Sequence, residues 1–212
     1  KHFEVILLTS NNNYQELAKQ ARLLNAKNLI IKNKKQYLNL KKKFKNKKIN
    51  IYNDFSNLKK IFKKKIDYIM CAISGLQGLS PTINSIKFTK NIAIANKESL
   101  ICGWNLIENK LKKYNTNFIP VDSEHFSIWS LIRNVNKSHI EEIILTASGG
   151  PFLNLPISKF KKIKASSAIK HPNWKMGKKI SVDSATMMNK VFEIIEAQRI
   201  FDLDLNKFKI LI

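Results

Sequence analysis

The sequence predicts an α/β protein whose first part is a parallel sheet covered by helices. Two observations predict it. Short β-branched apolar runs alternate with stretches of helical spacing over about the first half of the chain. After Pro120 the texture changes, and Asp, Ser, Glu, His, Gly and Pro cluster into dense motifs. A domain boundary is therefore expected near residue 120, giving domains 1–120 and 121–212. At 212 residues and 44% hydrophobic, the chain can build a sizeable core.

The elements follow in order. Residues 3–9 (FEVILLT) read as a buried strand, and Asn11, Asn12 and Asn13 as a polar turn. Residues 14–24 have helical spacing at Leu17, Ala18, Ala21 and Leu24. A strand is expected at 29–31, a Lys-rich helix at 34–44, a strand at 49–52 and a helix at 55–64. The run 66–73 is the most apolar and is expected to be a central strand. Gly75, Gly78 and Pro81 punctuate a turn into a short helix. A strand at 91–95 and a long helix at 99–114 complete a Rossmann-like alternation. No Gly-x-Gly-x-x-Gly loop precedes the first strand, so the alternation alone is weak support for a dinucleotide. Further on, helices are expected at 124–133, 158–164 and 184–201, and strands at 141–146 and 208–212.

The net charge of +23 would suit a nucleic-acid or membrane-surface protein. The lysines, however, are spread through loops and solvent faces, without the clustering and interleaved aromatics that nucleic acid demands. Lys reads as the default polar residue of the chain. Neither Cys71 nor Cys102 forms a Cys-x-x-Cys pair, and both lie in apolar segments, where buried free thiols fit a reducing compartment. No apolar run is long enough for a bilayer span, and no signal peptide opens the chain. The chain starts at Lys1 rather than Met, so a missing native N-terminus is expected.

Five constellations can carry chemistry. In Val121-Asp122-Ser123-Glu124-His125, residues two apart in extended chain face the same way, which pairs Asp122 with Glu124. Two close carboxylates suit a hard cation, Mg²⁺ or Mn²⁺; the simpler reading is a capped, solvated helix start, which needs nothing more than these residue types. In the run 181–190, Asp183 or Ser184 can cap a helix whose free amides attract phosphate. Asn189, Lys190 and Glu193 share one face of that helix, either as a site or as a solvated stripe. Ser148-Gly149-Gly150-Pro151 can let amides approach an anion, or be a plain turn. His171 to Gly177 holds Trp174 and Met176 in a loop that reads as a lid or as a static anchor. Asn96, Lys97 and Glu98 sit at a strand's C-terminal end, where ligands of open sheets collect; a helix cap at Ser99 is the simpler reading.

Together, in order and spacing, these segments resemble one family. ANKESL (95–100), PVDSEH (120–125), ILTASGGPF (144–152), HPNWKMGKKISVDSATMMNK (171–190) and Glu193 are similar to the 1-deoxy-D-xylulose 5-phosphate reductoisomerases. The resemblance runs the length of the chain. It implies a Rossmann-like parallel-sheet NADPH domain followed by part of an α+β catalytic domain. The implied reaction is an NADPH-dependent rearrangement and reduction of a ketose phosphate in non-mevalonate isoprenoid synthesis. Asp122, Glu124 and Glu193 match metal ligands for Mn²⁺ or Mg²⁺, with Co²⁺ a third option. Ser148, His171, Ser184, Asn189 and Lys190 match residues that hold the substrate phosphate and hydroxyls, and Lys97 and Ser123 match substrate contacts near the metal. Asn96, Glu98 and Gly177 match NADPH contacts, and Asn11, Asn12 and Asn13 the loop for the adenosine 2′-phosphate. Asn11 and Asn12 depart from the family's usual Gly-Lys-Asn. Trp174 and Met176 match a lid.

The family's Gly-rich pyrophosphate loop and its C-terminal helical domain have no counterpart here, so a partial chain is expected. Partners implied are a sugar phosphate and a second copy in a homodimer, with no nucleic acid and no membrane. A bacterial cytoplasm is the expected location, a plastid the second. The rival reading is another NAD(P)-dependent dehydrogenase, which metal dependence would separate.

Overall fold

The structure, a computed structural model, describes residues 3–170 and 175–212; the expected roles of His171 and Trp174 lie outside the described residues. Two compact units emerge, Lys1–Asp67 with Asn84–Lys90 and Tyr68–Ile83 with Asn91–Ile212. The fold is α/β with parallel sheets, as the alternation predicts.

In the first unit, β1 (Leu7–Ser10), α1 (Tyr14–Leu24), β2 (Asn28–Ile31), α2 (Lys34–Lys43) and β3 (Asn50–Tyr52) form two successive strand–helix–strand crossovers. The sheet order is β1-β2-β3, all parallel, in register from Leu7 opposite Asn28 and from Asn28 opposite Asn50. Each helix starts where an Asn side chain accepts an otherwise free amide: Asn13 from Glu16 N at 3.0 Å, and Asn33 from Gln36 N at 3.1 Å. Asn25 ends α1 in the left-handed conformation that Asn tolerates (φ 54°). Leu17, Ala18 and Ala21 face Leu29, Ile31, Leu40 and Phe44 in one buried cluster. The lysines of α2 stay on its outer face, with Lys41 Nζ 4.9 Å from the Tyr37 ring.

Next come α3 (Leu58–Ile61), β4 (Ile66–Cys71), α4 (Leu79–Ser85), β5 (Thr89–Ile94), α5 (Lys97–Tyr114) and β6 (Asn117–Pro120). Their sheet runs β4-β5-β6, with β5 and β6 parallel. The apolar run at 66–73 is thus an edge strand of its sheet rather than a central one, and Tyr68 and Met70 on it are half exposed. Hydrophobicity alone does not encode strand order. The helix expected over 55–64 shrinks to one turn, because Asp54 draws Ser56 N into an Asx turn at 2.8 Å. Trp104 on α5 packs edge-on against Phe118 of β6, ring centres 5.3 Å apart.

The remainder comprises α6 (Ser123–Ile132), β7 (Ile143–Thr146), α7 (Ala165–Ala168), α8 (Lys178–Ala185), α9 (Met188–Phe201) and β8 (Phe208–Leu211). β7 and β8 pair in parallel, and Ile128, Ile143, Leu145, Ala197 and Phe201 form the buried cluster beside them. Residues 157–162 form a 3₁₀ segment where a helix over 158–164 was expected. The helix expected over 184–201 is two helices, α8 and α9. The break is Met187, whose φ of 60° interrupts the ladder. Asp183 and Ser184 therefore close α8 instead of capping a helix start, and the phosphate-attracting amides expected beside Ser184 are not there. Of the two thiols, Cys71 is buried and its pKa pushed up to about 11 by that burial, but Cys102 is exposed, contrary to expectation. No described helix is long and apolar enough to cross a membrane.

Gly150 shows how the loop after β7 meets α8. Its φ is 69°, and a methyl there would lie 2.7 Å from the Ser184 carbonyl oxygen. Gly150→Ala is expected to destabilise the protein by about 1–2 kcal/mol from backbone strain alone, with the clash in addition. Thermal denaturation checks this; an unchanged melting temperature contradicts it.

Candidate active site

The site is assembled in the second unit from three places that local sequence fixes. The first is the C-terminal end of β5. Asn96 caps α5 by accepting Ser99 N at 2.7 Å, while its Nδ2 donates to the carbonyls of Ile73 and of Gly75, the latter at 2.7 Å. The loop can approach this closely because residue 78 is Gly: a methyl there would lie 2.5 Å from Asn96 Nδ2. With Asn96 spent on the backbone, Lys97 and Glu98 are the side chains that α5 presents.

The second place is the end of β6. Pro120 closes the strand, and Asp122 caps α6 by accepting Glu124 N at 3.2 Å. Asp122 is thus a helix cap, and its carboxylate also stands close to that of Glu124. The third place is α9, whose first two turns carry Asn189, Lys190 and Glu193.

Oxygens of Asp122, Glu124 and Glu193 converge within 4.8 Å of one another. Two ammonium groups offset this repulsion. Lys97 Nζ lies 3.3 Å from Asp122 Oδ2 and donates to Asn189 Oδ1 at 2.9 Å. Lys190 Nζ lies 2.5 Å from Glu193 Oε2 and 3.4 Å from Glu124 Oε1. Asn189 Nδ2 donates to Glu193 Oε1, closing the ring of contacts. Three carboxylates against two ammoniums leave the group net negative if all are charged. Lys190 and Glu193 are nearly fully buried, so this polar stripe of α9 is not a solvated face.

The electrostatics differ within the trio. Burial works to raise the Asp122 pKa, but His125 and Lys97 outweigh it and hold the carboxyl below the usual range. Burial pushes Glu193 up; Lys190 opposes that, and the negative charge of Glu124 adds to it. An all-oxygen donor set with spare negative charge fits a hard divalent cation.

The other expected residues make contacts of their own. Ser123 Oγ donates to Glu124 Oε2 at 2.7 Å. Ser148 Oγ accepts Gly150 N at 3.3 Å, and Gly150 in turn stands against Ser184. Gly177 caps α8, and half-buried Met176 precedes it. Lys179 joins Glu98 on α5 (3.1 Å) to Asp183 on α8 (2.7 Å). Asn11, Asn12 and Asn13 lie exposed in the first unit, at the C-terminal end of β1.

Two residues without an expected role belong to the centre. His125 is fully buried; its Nε2 lies 2.8 Å from Glu193 O, and its Nδ1 3.3 Å from Asp122 Oδ1 and 3.5 Å from Glu196 Oε1. Glu196 is buried, and burial pushes its pKa up to about 7. The available signal was spacing: Asp122 to His125 and Glu193 to Glu196 are each one helical turn.

Comparison with known proteins adds the following. Residues 1–103 match the family 1-deoxy-D-xylulose 5-phosphate reductoisomerase, and residues 118–201 the C-terminal domain of the same enzyme. The chain is 59% identical to the 1-deoxy-D-xylulose 5-phosphate reductoisomerase of Pelagibacter ubique, over 100% of this chain and 55% of that protein. It is 43% identical to that of Wolbachia pipientis from Culex pipiens, over 99% and 54%. Among solved structures, the Zymomonas mobilis enzyme in complex with NADPH superposes with a TM-score of 0.87 at 36% identity, covering 98% of this chain and 53% of that one. A reductoisomerase in complex with NADPH, fosmidomycin and magnesium superposes at 0.85 with 32% identity, covering 99% and 54%. The chain thus spans about half the length of the relatives it matches.

Proposed function

The chain belongs to the 1-deoxy-D-xylulose 5-phosphate reductoisomerase family, and from that premise we propose that the protein converts 1-deoxy-D-xylulose 5-phosphate to 2-C-methyl-D-erythritol 4-phosphate with NADPH. The carrying observation is the convergence of Asp122, Glu124 and Glu193, cross-linked by Lys97 and Lys190. These carboxylates hold Mg²⁺ or Mn²⁺, which supplies Lewis-acid stabilisation of charge on the substrate oxygens. Magnesium and NADPH accompany the solved relatives, which supports both as cofactors here.

The protein's own groups do the rest. Lys97 and Ser123 orient the substrate beside the carboxylates. Ser148, Ser184, Asn189 and Lys190, with His171, bind the phosphate, so that binding energy remote from the reacting carbons fixes their position. NADPH is held by Glu98, Gly177 and the backbone at Asn96, whose side chain shapes the loop, with Asn11, Asn12 and Asn13 at the adenosine phosphate. Trp174 and Met176 cover the substrate and exclude water. Residues 1–120 serve as the NADPH-binding domain and 121–212 as part of the catalytic domain. The intact protein acts as a homodimer in a bacterial cytoplasm.

The test is consumption of NADPH by the intact protein given 1-deoxy-D-xylulose 5-phosphate. Turnover that stops on chelation and returns with Mg²⁺ or Mn²⁺ is expected. Turnover indifferent to chelation overturns the reading in favour of a metal-independent dehydrogenase.

A further inference from the structure

We infer that Glu196 is a positioning residue of the cation site: it seats His125, which ties Asp122 to the backbone of Glu193. The inference rests on the cation reading above. A carbonyl oxygen only accepts, so His125 Nε2–H donates to Glu193 O across 2.8 Å. That fixes the ring and aims Nδ1 at two carboxylates, Asp122 Oδ1 at 3.3 Å and Glu196 Oε1 at 3.5 Å. One imidazole therefore bridges the cap of α6 and two successive turns of α9, the two elements that deliver the three carboxylates.

Glu196 gives the ring its second contact on α9. Without it, Nδ1 faces Asp122 alone, and Asp122 is already shared with Lys97 at 3.3 Å. With it, Nδ1, which makes no hydrogen bond to either group at these distances, stands between two carboxylate oxygens instead of facing one. Glu196 is 2% exposed and its Oε2 has no hydrogen-bond partner. An apolar side chain would fill that space without the cost of burying a carboxyl. Groups that hold a cation's ligands in place set its affinity; here His125 holds the ligand Asp122, and Glu196 acts through His125.

The experiment is calorimetric titration of the intact protein with Mg²⁺ alone, alongside melting curves. Wild type is expected to bind, and Asp122→Asn to lose binding. Glu196→Ala is expected to bind Mg²⁺ about 10–100-fold more weakly. Glu196→Gln, with the same shape and an oxygen for the ring, is expected to recover most of that affinity. Wild-type affinity in folded Glu196→Ala overturns the inference while leaving the cation reading intact. Loss in Glu196→Gln equal to that in Glu196→Ala also overturns it, since Glu196 would then be a direct ligand. No binding by wild type overturns the cation reading and this inference with it. Should Glu196→Ala not fold, Glu196→Asp decides: it keeps the charge but retracts it from His125, and unchanged Mg²⁺ affinity overturns the inference.

Discussion

Replacing Glu193 with Gln in the intact protein is expected to lower turnover about a thousandfold and to leave NADPH affinity unchanged. The size follows from the several kcal/mol that Lewis-acid stabilisation contributes, at tenfold in rate for each 1.4 kcal/mol. The selectivity follows from placement, since Glu193 faces Asp122 and Glu124 while the residues proposed for NADPH lie elsewhere. Folding is expected to survive the change. Lys190 keeps Glu124 as a carboxylate partner at 3.4 Å, and the amide oxygen of Gln can still accept from Asn189, so the loss of the Lys190–Glu193 ion pair is only partly uncompensated. Steady-state kinetics and NADPH titration check both halves. Normal turnover would remove Glu193 from the cation site.

Lys190→Met has its largest effect on the metal-free protein. Lys190 Nζ sits between Glu124 and Glu193 in an almost fully buried setting, with side-chain exposures of 8% for Lys190 and 2% for Glu193. Removing one partner of a buried ion pair costs about 3–5 kcal/mol, because the other is left uncompensated. For a chain of this size that is roughly 6–20 °C in melting temperature. A divalent cation at the same carboxylates replaces the missing charge, so Mg²⁺ is expected to restore most of the loss. Melting curves in chelator and in Mg²⁺ check it. Equal losses in both conditions would show that Lys190 compensates no carboxylate that the cation also reaches.

Much of this arrangement was legible in the sequence where a local rule decided it. The bounds of α1 follow from Leu17, Ala18 and Ala21 between two Asn caps. The pairing of Asp122 with Glu124 follows from their position at a strand end, and Asn189, Lys190 and Glu193 from helical spacing. What failed needed information from elsewhere in the chain. The apolar spacing around Met187 continues through the break between α8 and α9, and only the backbone turn at Met187 shows it. Hydrophobicity marked β4 as a strand but could not place it at a sheet edge. Cys102 lies in an apolar segment, yet its position on α5 faces outward. His125 and Glu196 went unassigned because His125 meets Glu196 and the Glu193 carbonyl only when α6 and α9 pack.

The most direct test of the carboxylate centre is calorimetric titration of the intact protein with a phosphonate hydroxamate, with and without Mg²⁺. Such a ligand offers a chelating head for a cation and a phosphonate for the phosphate pocket, so it reports both halves of the site at once. Binding that requires Mg²⁺ and vanishes in Asp122→Asn is the predicted result. Equal affinity with and without Mg²⁺, or no binding by the folded intact protein, would contradict a cation held by Asp122, Glu124 and Glu193.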